Sequence, residues 1–115
     1  TSPAIVNVVS TAGVSGGIAT VSAYGMSKAG LIVLTKAVAR EYGPFGIRVF
    51  ALSPPSLDSE MQRSLPQEHR NQVKAMNVLG RPAPPEDVAR YTLLTASGLG
   101  GLVTGTMVDL TATAY

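Results

Sequence analysis

Tyr24 and Lys28 are the pair of side chains in this sequence with the clearest capacity for proton chemistry. They stand four residues apart in a segment with a helical pattern, so their side chains share one face and lie within reach of each other. A phenol is a poor base near neutral pH, but a nearby ammonium favours the phenolate and so suits the tyrosine to proton transfer. The same spacing is also common in solvated surface pairs. The pair alone therefore does not establish catalysis.

Ser10 is the third candidate, because it follows a short apolar run at residues 4–9. The β-branched, nearly continuous character of that run predicts a strand covered on both faces in a parallel sheet. Ligands of open α/β sheets bind at the carboxyl ends of strands, where a hydroxyl can hold a carbonyl oxygen. Thr11 would replace Ser10 in this role if the strand ended one residue later. Asn7, within the strand, is interpreted as a structural hydrogen-bonding residue.

The elements that must position these residues alternate between strand and helix. Gly43 and Pro44 end the helix that carries Tyr24, and Ser53-Pro54-Pro55 ends the second strand. The polar segment 56–80 is long enough to be a lid or substrate loop. The order predicts an α/β fold with a parallel, Rossmann-like sheet, about three strands and two to four flanking helices. The expected strands are 4–9, 47–52 and 107–110, and the expected helices are 24–42, a weak one at 67–76, and one from Pro84 to near Gly98.

Two of these elements, the predicted helix 24–42 and the first strand, would expose apolar surface or an unpaired edge unless a neighbouring element or chain packs against them. Residues 31–34 are consecutive apolar residues, so the helix 24–42 is apolar all round at its middle. It is predicted to be either a fully internal helix or part of a subunit interface. The first strand would expose an unpaired edge unless a preceding half of the chain, a swapped partner chain or a second subunit lies beside it.

Composition excludes several classes of protein. The chain has 115 residues, of which 45% are hydrophobic and 14% charged, which fits one folded unit and excludes disorder. No cysteine and a single histidine, His69, argue against a metal site, and the lack of cysteine fits a cytoplasmic location. The net charge of +2 is scattered along the sequence, so no nucleic-acid partner is expected. The apolar runs are too short for a membrane span, and no secretion signal is visible.

Several separately spaced motifs then agree with one known family. The sequence resembles the classical type of short-chain dehydrogenase/reductase over essentially its whole length. The motifs that carry the resemblance are the strand ending at Ser10, Tyr24-Gly25-Met26-Ser27-Lys28 followed by Ala29-Gly30, Glu41-Tyr42-Gly43-Pro44, Gly46-Ile47-Arg48-Val49, and Gly80-Arg81-Pro82 before Pro85-Glu86-Asp87.

The resemblance implies an NAD(P)-dependent oxidoreductase that transfers hydride between a nicotinamide and a ketone, secondary alcohol or 3-oxoacyl substrate. It implies that Tyr24 is the general acid/base, that Ser10 orients and polarises the substrate carbonyl, and that Lys28 assists Tyr24 and binds the nicotinamide ribose. Whether NAD or NADP is used is left open. A homodimer or homotetramer through the helix 24–42 is implied as well. The other residues implied to contact the cofactor are Ser53, Pro54, Leu57 (through its backbone) and Ser59.

The sequence also departs from the family pattern. It has no glycine-rich turn placed to bind the cofactor phosphates, so residues 1–115 are expected to be the C-terminal catalytic and substrate half, with the N-terminal dinucleotide-binding half absent and no activity from this piece alone. Phe50 stands where the family has asparagine, Pro55 where it has glycine, and Leu110-Thr111 where it has two glycines. The alternative is a truncated or degenerate, non-catalytic relative that serves as an oligomerisation module.

Overall fold

Three parallel strands form the sheet in the part of the chain that the structure describes. The computed structural model describes residues 3–55, 60–81 and 83–112. The strands are β1 (Ala4–Val8), β2 (Arg48–Ser53) and β3 (Met107–Asp109), and β2 lies between the other two. Val8 is paired with Leu52, and Ser53 with Asp109, so the three carboxyl ends meet at one edge of the sheet. The predicted parallel α/β fold is confirmed, with strand limits that differ from the expected ones by one residue.

Within the described residues, five α-helices connect and flank these strands. Their bounds are α1 (Ala12–Ser15), α2 (Ser22–Tyr42), α3 (Glu60–Ser64), α4 (Gln67–Met76) and α5 (Pro85–Ala96), with 3-10 turns at Gly43–Phe45 and Gly98–Gly100. The helix α1 is not among the helices expected from the sequence, because a single turn of small residues shows no apolar period. The helix α2 begins two residues earlier than predicted, and its end before Gly43 is confirmed.

The helices α2 and α5 cover opposite faces of the sheet. Ala51 of β2 packs against Ile32 of α2. Arg48 lies three residues earlier in the same strand, so its side chain points to the other face. There its guanidinium binds the carbonyl of Thr95 and others at the carboxyl end of α5. The sheet is therefore the middle layer of three.

The strand β2, not β1, is the one covered on both faces. All six residues of β2 are buried, whereas Ile5 and Val8 of β1 are 46% and 55% exposed. The expectation that β1 would be fully covered is wrong for the described part of the chain. The reason is position, since β1 lies at the edge of the sheet and pairs with β2 alone among the described strands.

The helix α2 is covered on one side. Ile32, Thr35 and Ala39 are buried against the sheet, while Val33 and Leu34 are 66% and 52% exposed. A fully internal helix is therefore the wrong interpretation for this chain by itself.

Within the described ranges, no helix has the length and apolar character of a membrane-spanning segment.

Candidate active site

The ammonium of Lys28 joins the helix α2 to the carboxyl end of β1. Its Nζ donates a hydrogen bond of 3.0 Å to the carbonyl oxygen of Val8, the last residue of the strand. This contact fixes the second turn of α2 over the edge of the sheet at which the three strands end. An ammonium carries three donors, so this bond leaves others that can point to a ligand.

Tyr24 lies beside this ammonium. The Nζ of Lys28 is 5.6 Å from the centroid of the Tyr24 ring, within the range of a cation–π contact. Tyr24 is 43% exposed, so it is open to solvent at this edge of the sheet. The sequence prediction that Tyr24 and Lys28 are partners on one helix face is confirmed by this distance.

Ser10 stands two residues beyond the end of β1, and its hydroxyl is oriented by the backbone that follows. Its Oγ accepts a hydrogen bond of 3.1 Å from the N–H of Ala12, and its carbonyl accepts one of 3.0 Å from the N–H of Gly13. Because Oγ already accepts a bond, its O–H is suited to donate to a substrate oxygen. The strand ends before Ser10, so the condition that would have favoured Thr11 does not arise.

The turn that holds Ser10 is packed tightly on the first turns of α2. Gly13 of α1 lies against the backbone of Lys28 and Ala29, and Gly25 lies against the carbonyl of Ala12. These glycines were not singled out for this role from the sequence. A signal was available, since Gly25 sits inside a long helix where alanine would be favoured by about 1 kcal/mol.

Ser53 and Pro54 lie at the carboxyl end of β2, next to the end of β1. The two strand ends are joined by a 2.9 Å bond from the N–H of Val9 to the carbonyl of Leu52. The side chain of Ser53 is fully buried, and its Oγ has no hydrogen-bond partner among the described residues. A buried hydroxyl without a partner at this edge fits a site for a polar ligand or water. Leu57 and Ser59 lie outside the described residues.

The departures from the family pattern fall in two places. Phe50 is fully buried in the middle of β2, where it packs in the core. Pro55 and Leu110 instead share a cavity of about 210 Å³ at the carboxyl edge, together with residues of α5. After β3, the carboxylate of Asp109 accepts bonds from the N–H and hydroxyl of Thr111. A side chain thus holds the turn in which two glycines were expected.

Asn7 and the acidic side chains are the remaining polar candidates. The Asn7 amide donates a 3.0 Å hydrogen bond to the hydroxyl of the buried Thr35, as expected for a structural residue. In the described part of the chain, no three His, Cys, Asp or Glu side chains gather closely enough to hold a metal ion. Besides hydroxyls, a phenol and an ammonium, this edge carries the carboxylate of Asp109, which is bound to Thr111.

Known proteins are similar to this chain in sequence and in fold. The family described as enoyl-(acyl carrier protein) reductase matches residues 1–111. A (3R)-3-hydroxyacyl-CoA dehydrogenase of Rattus norvegicus is 38% identical over 106 residues, which cover 92% of this chain and 40% of the rat protein. The chain therefore spans less than half the length of that relative.

Two solved structures superpose closely on the chain. A blue fluorescent protein from a metagenomic library, in complex with NADPH, has a TM-score of 0.86 and 25% identity, over 96% of this chain and 44% of its own. A mutant short-chain dehydrogenase/reductase of Serratia marcescens has a TM-score of 0.85 and 28% identity, over 95% of this chain and 44% of its own. The family match over residues 1–111 and the similarity to these relatives show that the chain belongs to the short-chain dehydrogenase/reductase family.

Proposed function

We propose that this chain carries the catalytic groups of an oxidoreductase that interconverts a carbonyl and a secondary alcohol. The observation that carries the proposal is the contact between Lys28 Nζ, the Tyr24 ring and the Val8 carbonyl, which places a phenol and an ammonium together at the strand ends. Tyr24 donates the proton to the substrate oxygen during reduction and takes it back during oxidation. Ser10 donates a hydrogen bond to the same oxygen and holds it in place.

The substrate class that we propose is a ketone or 3-oxoacyl group and the corresponding alcohol. Its support is the 38% identity to a protein named for (3R)-3-hydroxyacyl-CoA. The exposed Tyr24 ring and the open carboxyl edge leave room for a carbonyl carried on a longer chain. The cavity lined by Pro55 and Leu110 lies at the same edge and is mostly apolar in its lining.

A nicotinamide cofactor, NAD or NADP, would supply the hydride that this chain cannot provide. Lys28 would hold the ribose next to it through the N–H donors not bound to Val8. Ser53, Pro54, Leu57 and Ser59 would line the nicotinamide end. The buried, unpartnered Oγ of Ser53 and the donors of Lys28 are the observations that fit such a group.

The domain that we propose is larger than residues 1–115. These residues would form the catalytic and substrate half, and sequence before them would supply the phosphate-binding turn and the strand that pairs with the exposed edge of β1. The chain's match to 40% of the rat relative supports this arrangement.

The absence of cysteine supports a reducing, cytoplasmic location.

The proposal is tested with the natural full-length protein that contains this sequence. Purified protein is mixed with NADH or NADPH and a panel of ketones and 3-oxoacyl thioesters, and loss of the reduced nicotinamide is followed by its absorbance. We expect turnover with one of the two cofactors on at least one carbonyl substrate. Binding of neither cofactor, measured by quenching of nicotinamide fluorescence, would contradict the proposal.

A second candidate function, subunit assembly, rests on the exposed face of α2. Met26, Val33 and Leu34 lie on the side of the helix turned away from the sheet and are between 52% and 73% exposed. We propose that this face joins two copies in a homodimer, or four in a homotetramer. It could serve this role with or without catalysis.

Assembly is measured by sedimentation of the full-length protein. Val33→Asp places a charge on the proposed interface, and we expect it to lower the mass of the particle to that of a smaller assembly. Val78→Asp is the matched control, because Val78 is equally exposed (65%) but lies beyond α4. A native protein that is already monomeric, or an unchanged mass for Val33→Asp, would contradict this assignment.

A further inference from the structure

Two glycines fill the contact between the turn that holds Ser10 and the helix that carries Tyr24. A Cβ atom on Gly13 would lie 2.7 Å from the backbone N of Ala29, 2.8 Å from the carbonyl carbon of Lys28 and 3.0 Å from Cδ1 of Ile32. Two of these three atoms belong to the backbone of α2, which cannot rotate out of the way. Any side chain at position 13 therefore forces α1 and α2 apart.

Gly25 forms the other half of this contact, from the side of α2. It is buried, and a Cβ there would lie 3.0 Å from the carbonyl oxygen of Ala12. Both glycines are inside helices, where alanine is preferred over glycine by about 1 kcal/mol. Helix propensity thus disfavours glycine at both positions. The close packing of α1 on α2 is the physical reason why glycine is nevertheless suited to them.

The hydrogen bonds of Ser10 make this packing relevant to the site. Ser10 is bound through its carbonyl to the N–H of Gly13 and through its Oγ to the N–H of Ala12. These two bonds tie Ser10 to the first turn of α1. On the other side of the contact lies the peptide between Lys28 and Ala29, one turn of helix from Tyr24.

We infer that Gly13, supported by Gly25, is a positioning residue that sets the separation between the Ser10 hydroxyl and the Tyr24–Lys28 pair. This inference rests on the proposed oxidoreductase function and adds residues that act through Ser10 without touching substrate. A Cβ at position 13 needs about 0.7 Å of extra room to reach an ordinary contact distance. Misplacement on the order of 1 Å costs as much as 100-fold in rate.

The experiment compares Gly13→Ala with Gly98→Ala in the full-length protein. Gly98 lies in the 3-10 turn after α5, and a Cβ there meets nothing within 4 Å, so the control makes the same chemical change in open space. We expect Gly13→Ala to lower kcat by roughly 10- to 100-fold with little change in KM for the nicotinamide. We expect Gly98→Ala to leave both constants unchanged.

A double-mutant cycle separates positioning from general destabilisation. In a Ser10→Ala background the hydroxyl is gone, so Gly13→Ala should lower kcat by no more than about two- to threefold. An equal fold loss in both backgrounds, or a kcat for Gly13→Ala equal to that of Gly98→Ala, overturns the inference. If Gly13→Ala does not fold, Gly25→Ala replaces it, with a smaller loss of kcat that must also vanish in the Ser10→Ala background.

Two further measurements keep this inference separate from the proposed function. If Tyr24→Phe is inactive while Gly13→Ala is fully active, only the positioning role fails; if Tyr24→Phe is also fully active, the oxidoreductase proposal fails. A crystal structure of Gly13→Ala supplies a readout other than activity. We expect the turn at Ser10 to lie further from α2 in that variant, and an unmoved turn overturns the positioning role whatever the activity.

Discussion

The ammonium of Lys28 is hydrogen-bonded to the carbonyl of Val8, across 20 positions of sequence, at a distance of 3.0 Å. This bond is a direct link between the helix that carries the candidate acid/base and the strand that leads to Ser10. The same nitrogen lies 5.6 Å from the centroid of the Tyr24 ring. The Lys28 side chain thus contacts both the end of the strand that leads to Ser10 and the ring of Tyr24.

We expect Lys28→Met in the full-length protein to lower kcat/KM by at least about 100-fold, because the charge beside Tyr24 and the donors for the cofactor are both lost. The change in stability should be small, about 1 kcal/mol, since the lost bond is near the surface. Lys36→Met is the control, two turns further along α2 and exposed. Steady-state kinetics and thermal unfolding measure the two effects. Equal kinetics for the two variants would count against a role for Lys28.

Arg48 is expected to matter for stability and not for chemistry. It is 6% exposed, and its guanidinium donates bonds of 2.7 to 3.0 Å to four carbonyls at the end of α5 and in the turn after it, those of Thr95, Ala96, Ser97 and Gly100. The positive charge of Arg48 also interacts favourably with the negative, carboxyl-terminal end of the α5 dipole. Lysine has fewer donors and no planar fork, so it cannot replace this set.

Arg48→Lys should therefore lower the free energy of unfolding of the full-length protein by about 3 kcal/mol. Arg90→Lys is its control, because Arg90 is 79% exposed and pairs with Asp87 on the surface of α5. That change should cost less than about 0.5 kcal/mol. Denaturant unfolding measures both, and similar midpoints for the two variants would show that the buried bonds contribute little.

Thr20 stores strain in the loop before α2. Its φ of 76° places a β-branched residue in the left-handed region, where residues other than glycine, asparagine and aspartate are rarely found. Thr20→Gly removes the strain but adds freedom to the unfolded chain, so we expect a net gain of about 0.5 kcal/mol. Ala19→Gly, next to it and without a positive φ, should instead destabilise the protein. A loss of stability in Thr20→Gly equal to that in Ala19→Gly would show that the strain is negligible.

Much of the fold could be predicted from local patterns. The burial of residues 49–52 of β2 follows from a continuous apolar run, and the end of α2 follows from Gly43 and Pro44. The pairing of Tyr24 with Lys28 follows from the geometry of any α-helix. Each of these depends on residues close together in sequence, and so required no knowledge of the tertiary structure.

What could not be predicted depends on contacts between distant segments. The sequence does not indicate that the carbonyl of Val8 accepts the bond from Lys28, because every residue has a carbonyl. The packing of Gly13 on the Lys28–Ala29 peptide depends on the angle between α1 and α2. The exposure of Ile5 and Val8 depends on which strand lies beside β1, and this is information that the strand itself does not hold.

The role of Tyr24 as the acid/base is tested by the rate of carbonyl reduction by Tyr24→Phe, compared with Tyr42→Phe, in the full-length protein. Tyr42 is at the other end of α2 and is 46% exposed, so its control substitution makes the same chemical change away from the site. We expect Tyr24→Phe to lower kcat by at least about 100-fold while the nicotinamide still binds, and Tyr42→Phe to be unaffected. A Tyr24→Phe variant that turns over as fast as Tyr42→Phe would show that Tyr24 is not the acid/base.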